Sequence, residues 1–267
     1  MNPKLLFFSL LLPSVALAIS PSSQDADAIM RAVESRDLGD RSTSELDITI
    51  TDKAGRKRKR SVQSWTMEIE DTRKQLMLFE SPADVRNAGL LSIDYDDPKK
   101  ADDQWLYLPS LGRTTRISGS DKSGSFMGTD LSFSDMTRRD TDAYTYTLIK
   151  GDAEVGGEAA WQIETRPKTE KEKAETGYVK THIWISKEKL VPLQLKAWVA
   201  EGKRLKYTQF KDIQKVDGLW IAHQIFVRTV RNGEVESSSS LSFRSLKFNQ
   251  DSVTPELFTE RRLEKGL

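Results

Sequence analysis

The side chains best suited to catalysis or metal binding are few in this sequence and form no recognisable motif. There are two histidines, His182 and His223, and there is no cysteine. A zinc site would require histidines at HxH, HxxxH or HExxH spacing, or thiolate ligands, and neither histidine has such a partner. We expect both to be ordinary strand residues, although a hydrolase that uses them with strand carboxylates stays an alternative.

Aspartates concentrate in one short stretch, "DYDDPKKADD", where they could bind a cation. A calcium loop needs a fixed ligand spacing, a glycine at its sharp bend and a closing glutamate. The stretch lacks both the glycine and the glutamate, so it is predicted to be a solvated turn. Its acidic residues are Asp94, Asp96, Asp97, Asp102 and Asp103.

Motifs for a nucleophile or a phosphate group are missing as well. The chain has no GxSxG elbow and no GxGxxG fingerprint after a strand. Residues 122–128, "KSGSFMG", lack the Gly-Lys-Ser/Thr ending of a phosphate-binding loop. Acidic residues are numerous, but nothing singles out a pair for glycoside hydrolysis. The sequence therefore predicts a protein that is not an enzyme and that needs no cofactor or metal ion.

The first residues are typical of an export signal. Lys4 precedes an apolar run over residues 5–12, and Ala16-Leu17-Ala18 is a small-x-small cleavage site. We expect a signal peptide over residues 1–18, cut after Ala18, followed by a single domain over residues 19–267. Without cysteine there is no site for a lipid anchor at the cut, so the protein is predicted to be an unlipidated protein of a bacterial periplasm.

The net charge of the chain gives no sign of two classes of partner. The chain has 41 basic and 40 acidic residues, a formal net charge of +1, and the predicted signal peptide contains one of the basic ones. A balance near zero does not indicate binding to nucleic acid or to a strongly anionic membrane.

Two helices are predicted, one near each end of the chain. The first has Ser22 as its N-cap and an apolar face at i, i+3, i+4 and i+7, formed by Ala26, Ile29, Met30 and Val33. The second is capped by Thr254, with Pro255 at the first helical position.

Between the helices the apolar residues alternate with a period of two, and turn signals recur about every 8–20 residues, which predicts an antiparallel meander. The charged run over residues 168–175 is expected to be a solvated hairpin tip. A single curved sheet with a helix at each end of the chain is the simplest arrangement. One face of that sheet must be covered, because an exposed apolar face would aggregate.

Residues 122–136, "KSGSFMGTDLSFSDM", combine glycine and serine with large apolar side chains, namely Phe126, Met127, Leu131, Phe133 and Met136. Gly124 and Gly128 permit backbone reorientation, and methionine adapts to variable apolar shapes. The segment is predicted to cover the sheet, either as a gate that moves or as a fixed plug. The serine-rich strand "VESSSSLSF" either leaves room on a concave face or is a polar edge strand, and we favour the edge strand.

The pattern "WLYLPSLGRTTRISGSDKSGSFMGTDLSFSDM" over residues 105–136 resembles the outer-membrane lipoprotein-sorting-like proteins of the LolA/LolB superfamily. It is most similar to the subgroup associated with inner-membrane transporters of the resistance-nodulation-division (RND) type. The resemblance extends in layout over the mature chain. It implies a mainly β fold, an incomplete antiparallel β-barrel (half-barrel) of about 11–12 strands whose N-terminal and C-terminal helices cover an apolar cavity.

The resemblance also implies a function, which is to carry a lipid, an acyl chain or a lipoprotein between the inner and outer membranes. Its partners would be that cargo, an RND-type transporter and an outer-membrane acceptor, with the carrier itself a monomer. A sensor that detects lipidated ligands and reports to a membrane partner is the alternative. The residues predicted to line or cover the cavity are Trp65, Met67, Trp105, Tyr107, Phe126, Met127, Leu131, Phe133, Trp184, Trp198 and Trp220.

Overall fold

The computed structural model describes residues 19–97 and 99–267, and its main feature is a single antiparallel sheet of thirteen strands. The predicted signal peptide lies outside the described residues. The strands are β1 (Arg41–Asp52), β2 (Lys57–Ile69), β3 (Thr72–Ser81), β4 (Gly89–Tyr95), β5 (Asp103–Leu108), β6 (Arg113–Ile117), β7 (Tyr144–Val155), β8 (Glu158–Pro167), β9 (Tyr178–Ser186), β10 (Pro192–Val199), β11 (Arg204–Val216), β12 (Leu219–Arg231) and β13 (Glu234–Phe248).

The order of the strands decides how the sheet is covered. It runs β6-β5-β4-β3-β2-β1-β13-β12-β11-β10-β9-β8-β7, so the first and last strands of the chain pair in the middle. β6 and β7 are consecutive in sequence, yet they form the two opposite edges. The 26 residues from 118 to 143 must therefore cross the sheet from one edge to the other, and we call them the crossing segment.

The crossing segment defines an inner and an outer face of the sheet. Alternation along β2 shows the division: Val62 packs in the apolar cluster that contains Phe126 and Phe133 of the segment, whereas Trp65 and Met67 belong to a cluster on the other side. Side chains of successive strand residues point to opposite faces, so this division extends along the paired strands.

The inner core joins the segment to the middle of the sheet. Phe126 is 1% exposed and lies beside Phe79 of β3, with ring centroids 6.0 Å apart. Phe133 meets Phe126 edge to face at 5.8 Å, a favourable aromatic geometry. Ile48 of β1 and Leu241 of β13 are directly paired across the strands and lie in the same cluster.

The terminal helices pack on different faces. α1 (Ala26–Glu34) places the fully buried Ile29 against the inner-face residues Trp161 and Ile183, while α3 (Glu260–Lys265) places Leu263 on the outer face. Each begins three to five residues later than the sequence predicts. Asp25 caps α1 and Thr259 caps α3, with a short 3-10 turn at Pro255–Leu257 before it.

A third helix occupies the charged run that was predicted to be a hairpin tip. α2 (Glu170–Thr176) is capped by Thr169, which accepts the Glu172 N–H, and it ends at Gly177 in the left-handed conformation. These are ordinary helix signals, and the density of charge obscured them in the sequence.

The predicted fold class is confirmed. The chain is mainly β, and its antiparallel sheet is not closed into a barrel, since β6 and β7 do not pair. The sheet has thirteen strands against the predicted 11–12. No helix within residues 19–97 and 99–267 is long and apolar enough to span a bilayer.

Candidate ligand cavity

A cavity of about 290 Å³ lies between the crossing segment and the inner face of the sheet. Its wall is mostly aliphatic along β1, β3, β12 and β13 and becomes polar towards β9 and β11. The lining residues are Ser44, Leu46, Ser64, Gln75, Met77, Leu131, Ser134, Asp135, Met136, Thr137, Arg139, Tyr178, Leu195, Lys206, Thr208, Phe210, Ile225, Val227, Leu241 and Phe243.

One buried carboxylate anchors the crossing segment to the centre of the sheet. Asp130, 5% exposed, accepts hydrogen bonds from the hydroxyls of Thr229 and Ser237, each at 2.5 Å, and of Ser239 at 2.6 Å. Its own backbone N–H donates to Ser239 Oγ at 2.9 Å. The serine-rich strand is thus the central strand β13, and its inner-face hydroxyls hold Asp130. The expectation of a polar edge strand was wrong.

Further hydrogen bonds hold the segment along its length. Gln104 Nε2 on β5 donates to the Phe133 carbonyl at 2.9 Å, and the side chain of Gln104 is fully buried. Lys122 Nζ donates to the Asp102 carbonyl at 3.1 Å. Arg60 donates to the Met127 carbonyl. These bonds hold the segment in place in this structure, and any opening requires them to break.

Charged groups gather at the polar end of the cavity. The Tyr178 hydroxyl donates to Asp135 Oδ2 at 2.7 Å and accepts from Lys206 Nζ at 3.1 Å. Lys206 Nζ lies 3.8 Å from the same carboxylate oxygen. Burial and the Asp135 carboxylate raise the pKa of Tyr178 well above its ordinary value, so the phenol keeps its proton.

Arg139 completes the polar end. Its guanidinium carbon lies 5.3 Å from the centre of the Tyr144 ring. Burial alone would lower the pKa of Arg139, but nearby Tyr144 and Asp135 raise it, so the group is a permanent cation.

The predicted residues of the crossing segment lie on the cavity side of the sheet. Leu131 lines the cavity, and Met127 packs against the inner core next to it. Phe126 and Phe133 are buried in that core, next to the cavity but not in its lining. Whether any of them contacts a ligand stays a prediction.

The other seven predicted residues lie on the outer face, away from the cavity. Trp65, Met67, Trp105 and Tyr107 pack in the cluster that contains Leu263 of α3. The other three are on the β9–β12 side of that face. Trp184 and Trp220 share a cluster, and the ring of Trp198 meets that of His182 at 60°, with centroids 4.6 Å apart. The structure therefore does not place these seven side chains around the cavity. Successive strand residues point to opposite faces of the sheet, and these seven point to the outer face.

The two histidines are separate. His182 Nε2 lies 2.9 Å from Glu164 Oε2 on the outer face, and Lys180 and Arg166 also bind this carboxylate. Hydrogen bonds from Lys180, and then from His182 and Arg166, lower the pKa of Glu164 to about 2. His223 Nδ1 is 3.2 Å from the Asp212 carbonyl oxygen.

The acidic stretch differs in part from the solvated turn that the sequence predicts. Asp96 and Asp97 are exposed, but Asp94 is only 7% exposed, and its Oδ2 accepts the Arg138 backbone N–H at 3.0 Å. In the part of the chain that the structure describes, no group of three or more histidine or acidic side chains is placed to hold a metal ion.

The residues that shape the polar end were missed by sequence reasoning. Asp135, Arg139, Tyr178 and Lys206 belong to no motif, and they are brought together from the crossing segment, β9 and β11. Asp130 did have a signal, since it is an acid between the large apolar side chains of Met127 and Leu131, and four consecutive serines elsewhere in the chain were available to bind it.

Comparison with known proteins supplies a family. Residues 71–265 match the model of a protein family described as "-like: Uncharacterized protein". No curated protein matches the chain.

Three crystal structures are similar over nearly the whole chain. A domain from Vibrio parahaemolyticus described as an outer membrane lipoprotein-sorting protein is 27% identical over 90% of this chain and 98% of its own, with a TM-score of 0.80. A DUF1329 family protein from Desulfovibrio piger is 28% identical over 92% and 100%, also with a TM-score of 0.80. A LolA superfamily protein from Nitrosomonas europaea, 17% identical over 90% and 99%, has a TM-score of 0.65 and shows the fold alone.

Proposed function

Because the chain belongs to the family whose model matches residues 71–265, and its structural neighbours are outer-membrane lipoprotein-sorting, DUF1329 and LolA superfamily proteins, we propose that it is a periplasmic carrier. It binds a lipid, an acyl chain or the lipid part of a lipoprotein in the inner-face cavity and transfers it between the inner and outer membranes.

The observation that carries this proposal is the cavity itself. Its walls include Leu46, Ile225 and Leu241 from three neighbouring strands, so an acyl chain in it would contact hydrocarbon and not water. Each buried CH₂ group contributes about 0.8 kcal/mol. Binding there would keep the cargo out of water during transit.

The size of the cavity limits the cargo that enters without rearrangement. Its volume of about 290 Å³ is at the lower end of the range for small-molecule sites, about 300–1,000 Å³. A single acyl chain is the natural occupant. A larger lipid group requires the crossing segment to move, with loss of the hydrogen bonds of Asp130 and of the Phe133 carbonyl.

Transfer needs a donor and an acceptor. We propose an inner-membrane transporter of the RND type as donor and an outer-membrane component as acceptor, with the carrier acting as a monomer after its signal peptide is removed. These partners are the part of the proposal that is supported by the resemblance of residues 105–136 alone.

Two measurements test the proposal. Native mass spectrometry of protein purified from its own periplasm is expected to reveal a co-purified lipid, and a fluorescent fatty-acyl probe is expected to bind the emptied protein. Recovery of empty protein together with no probe binding contradicts a carrier function.

A transfer assay separates the carrier from the sensor alternative. Donor vesicles that contain the acyl probe are mixed with acceptor vesicles, and the rate of transfer is measured with and without the protein. A carrier accelerates transfer in proportion to its concentration. A sensor binds the probe but leaves the transfer rate unchanged.

A further inference from the structure

We propose that the polar end of the cavity is a carboxylate-binding site and that the cargo is a single-chain anionic amphiphile, a fatty acid. Its carboxylate binds Arg139 and Lys206, and its chain lies along the aliphatic wall. The inference rests on the carrier function proposed above and specifies the chemical class of the cargo.

The first argument is an imbalance of charge. Two cations, Arg139 and Lys206, line the polar end, and among the residues that the structure describes the only carboxylate that lines the cavity with them is Asp135. Asp135 already accepts the Tyr178 hydroxyl at 2.7 Å and the Ser132 backbone N–H at 2.8 Å. One positive charge therefore has no anion to balance it inside the cavity.

Two neighbouring arginines show that this imbalance is local. Arg138 is held by Glu68 at 2.6 Å and by Asp96 at 3.2 Å. Arg139 follows it directly, yet it lines the cavity, and among the described residues no carboxylate oxygen lies within 4.0 Å of its guanidinium. The cavity side of Arg139 is therefore free to bind an anion, and charged groups that line a cleft in this way are candidates for binding sites.

Hydrogen-bond donors are also in excess. Lys206 has three N–H donors. One reaches the Tyr178 hydroxyl at 3.1 Å, and the Asp135 oxygen at 3.8 Å is beyond hydrogen-bond distance. The guanidinium of Arg139 offers a planar fork that matches a carboxylate in bidentate fashion. A carboxylate at this end would satisfy donors of both side chains, whereas an ester or an alcohol brings no charge.

The aliphatic end accommodates one chain. Water occupies about 30 Å³ per molecule in the liquid, so the cavity of about 290 Å³ holds on the order of ten groups of that size. One medium-length chain fills it, and a second chain would have no room while the crossing segment is in place.

Matched ligands test the inference. Binding of dodecanoate, methyl dodecanoate and dodecyltrimethylammonium is measured by titration calorimetry at pH 8 and low salt, with the wild-type protein and three variants. Arg139→Met and Lys206→Met remove one charge each and keep an unbranched chain. Lys211→Met removes an exposed charge on the outer face of the same strand, β11, and is the control.

We expect dodecanoate to bind at least about tenfold more tightly than its methyl ester, a difference of about 1.4 kcal/mol, and the cationic ligand to bind most weakly. Arg139→Met and Lys206→Met should each remove most of that preference with little change in ester binding, while Lys211→Met should keep it. Thermal melts check that each variant is folded. If Arg139→Met does not fold, Arg139→Gln is measured in its place.

The outcomes separate the two proposals. Equal binding of acid and ester by the wild-type protein, or a preference that survives in both cavity variants, overturns the carboxylate site and leaves the carrier function standing. Binding of none of the three ligands, together with no binding of the acyl probe, overturns both.

Discussion

Asp130 is a buried carboxyl group whose hydrogen-bond partners are hydroxyl groups. Within the described residues its partners are Thr229, Ser237 and Ser239 and no lysine or arginine forms an ion pair with it. A hydrogen bond to a charged group contributes about 1.5–3 kcal/mol to stability. This one residue therefore joins the crossing segment to the two central strands β12 and β13.

Replacing Asp130 with alanine is expected to lower the free energy of unfolding by about 2–3 kcal/mol, because it leaves buried hydroxyls without their acceptor. Urea denaturation measures the change. Asp152→Ala, at an exposed position on β7, is the control and should change stability by less than about 0.5 kcal/mol. An Asp130 variant as stable as this control would show that the anchor contributes nothing.

Asp94 is a second buried carboxylate, and its environment is unfavourable to charge. Burial, opposed by the Arg138 backbone N–H, raises its pKa from 3.8 to about 7. Its Oδ1 has no hydrogen-bond partner among the described residues. Between pH 4 and pH 7 the folded state holds a proton that the unfolded state has lost, so the contribution of Asp94 to stability falls as the pH rises through this range.

Asp94→Asn should therefore stabilise the protein at pH 8, by about 1–3 kcal/mol at roughly 1.4 kcal/mol per pKa unit with partial relaxation. The gain should shrink as the pH falls and vanish near pH 4, where the wild-type carboxyl is also neutral. Urea denaturation at several pH values measures it, with the exposed Asp97→Asn as control. A difference that does not vary with pH would contradict this account of Asp94.

At the scale of elements, α3 is short but closes the outer face of the sheet. Leu263 has no exposed surface and packs with Leu78, Leu91 and the partly buried rings of Trp65 and Trp105. Gly89 on β4 permits the close approach, since a Cβ there would lie 2.7 Å from Leu263 Cδ1. Six residues cannot form a stable helix alone, so tertiary packing supports this one.

Leu263→Ala is expected to destabilise the protein by about 2–5 kcal/mol, the range for leucine-to-alanine changes in a core. Intrinsic fluorescence should shift to the red as Trp65 and Trp105 become hydrated. Leu267→Ala, at a position 43% exposed, provides the comparison. Equal effects of the two changes would mean that α3 does not cover this face.

At the scale of the whole molecule, the cavity exists because of the order of the strands in the sheet. The edges β6 and β7 stay apart, and the crossing segment connects them over the inner face. It fills the space beside β3 and β4 with Phe126 and Phe133 but leaves the space above β11 and β12 unfilled. The inner face is thus filled where these two rings pack, and a cavity remains between the crossing segment and strands β1, β3 and β11–β13.

Filling the hollow tests whether it is the site of cargo binding. Val227 is 1% exposed and lines the cavity on β12. Val227→Phe should weaken binding of the acyl probe by at least about tenfold, or 1.4 kcal/mol, while thermal melts detect a stability change of no more than about 1–3 kcal/mol. Val235→Phe, at a position 48% exposed on β13, should leave binding unchanged. Unaltered binding by a folded Val227→Phe protein would place the cargo elsewhere.

The sequence by itself determined most strands and the fold class, but not the helix α2. Period-two alternation in segments such as "ELDITIT" depends only on neighbouring residues, so the strands could be predicted without tertiary information. The apolar character of residues 122–136 likewise predicted that this segment covers the sheet. The caps at Asp25 and Thr259 were misplaced by a few residues because several polar residues near each end were suitable.

Only the tertiary structure decided which face each strand residue points to and which distant residues meet. Trp65 and Trp184 were expected at the hollow, but the direction of alternation is set by pairing across the whole sheet, and a shift of one residue reverses it. Arg139, Tyr178 and Lys206 come together from three elements far apart in the chain. No local pattern encodes such a meeting, because it arises from the order of strands and the path of the segment that crosses them.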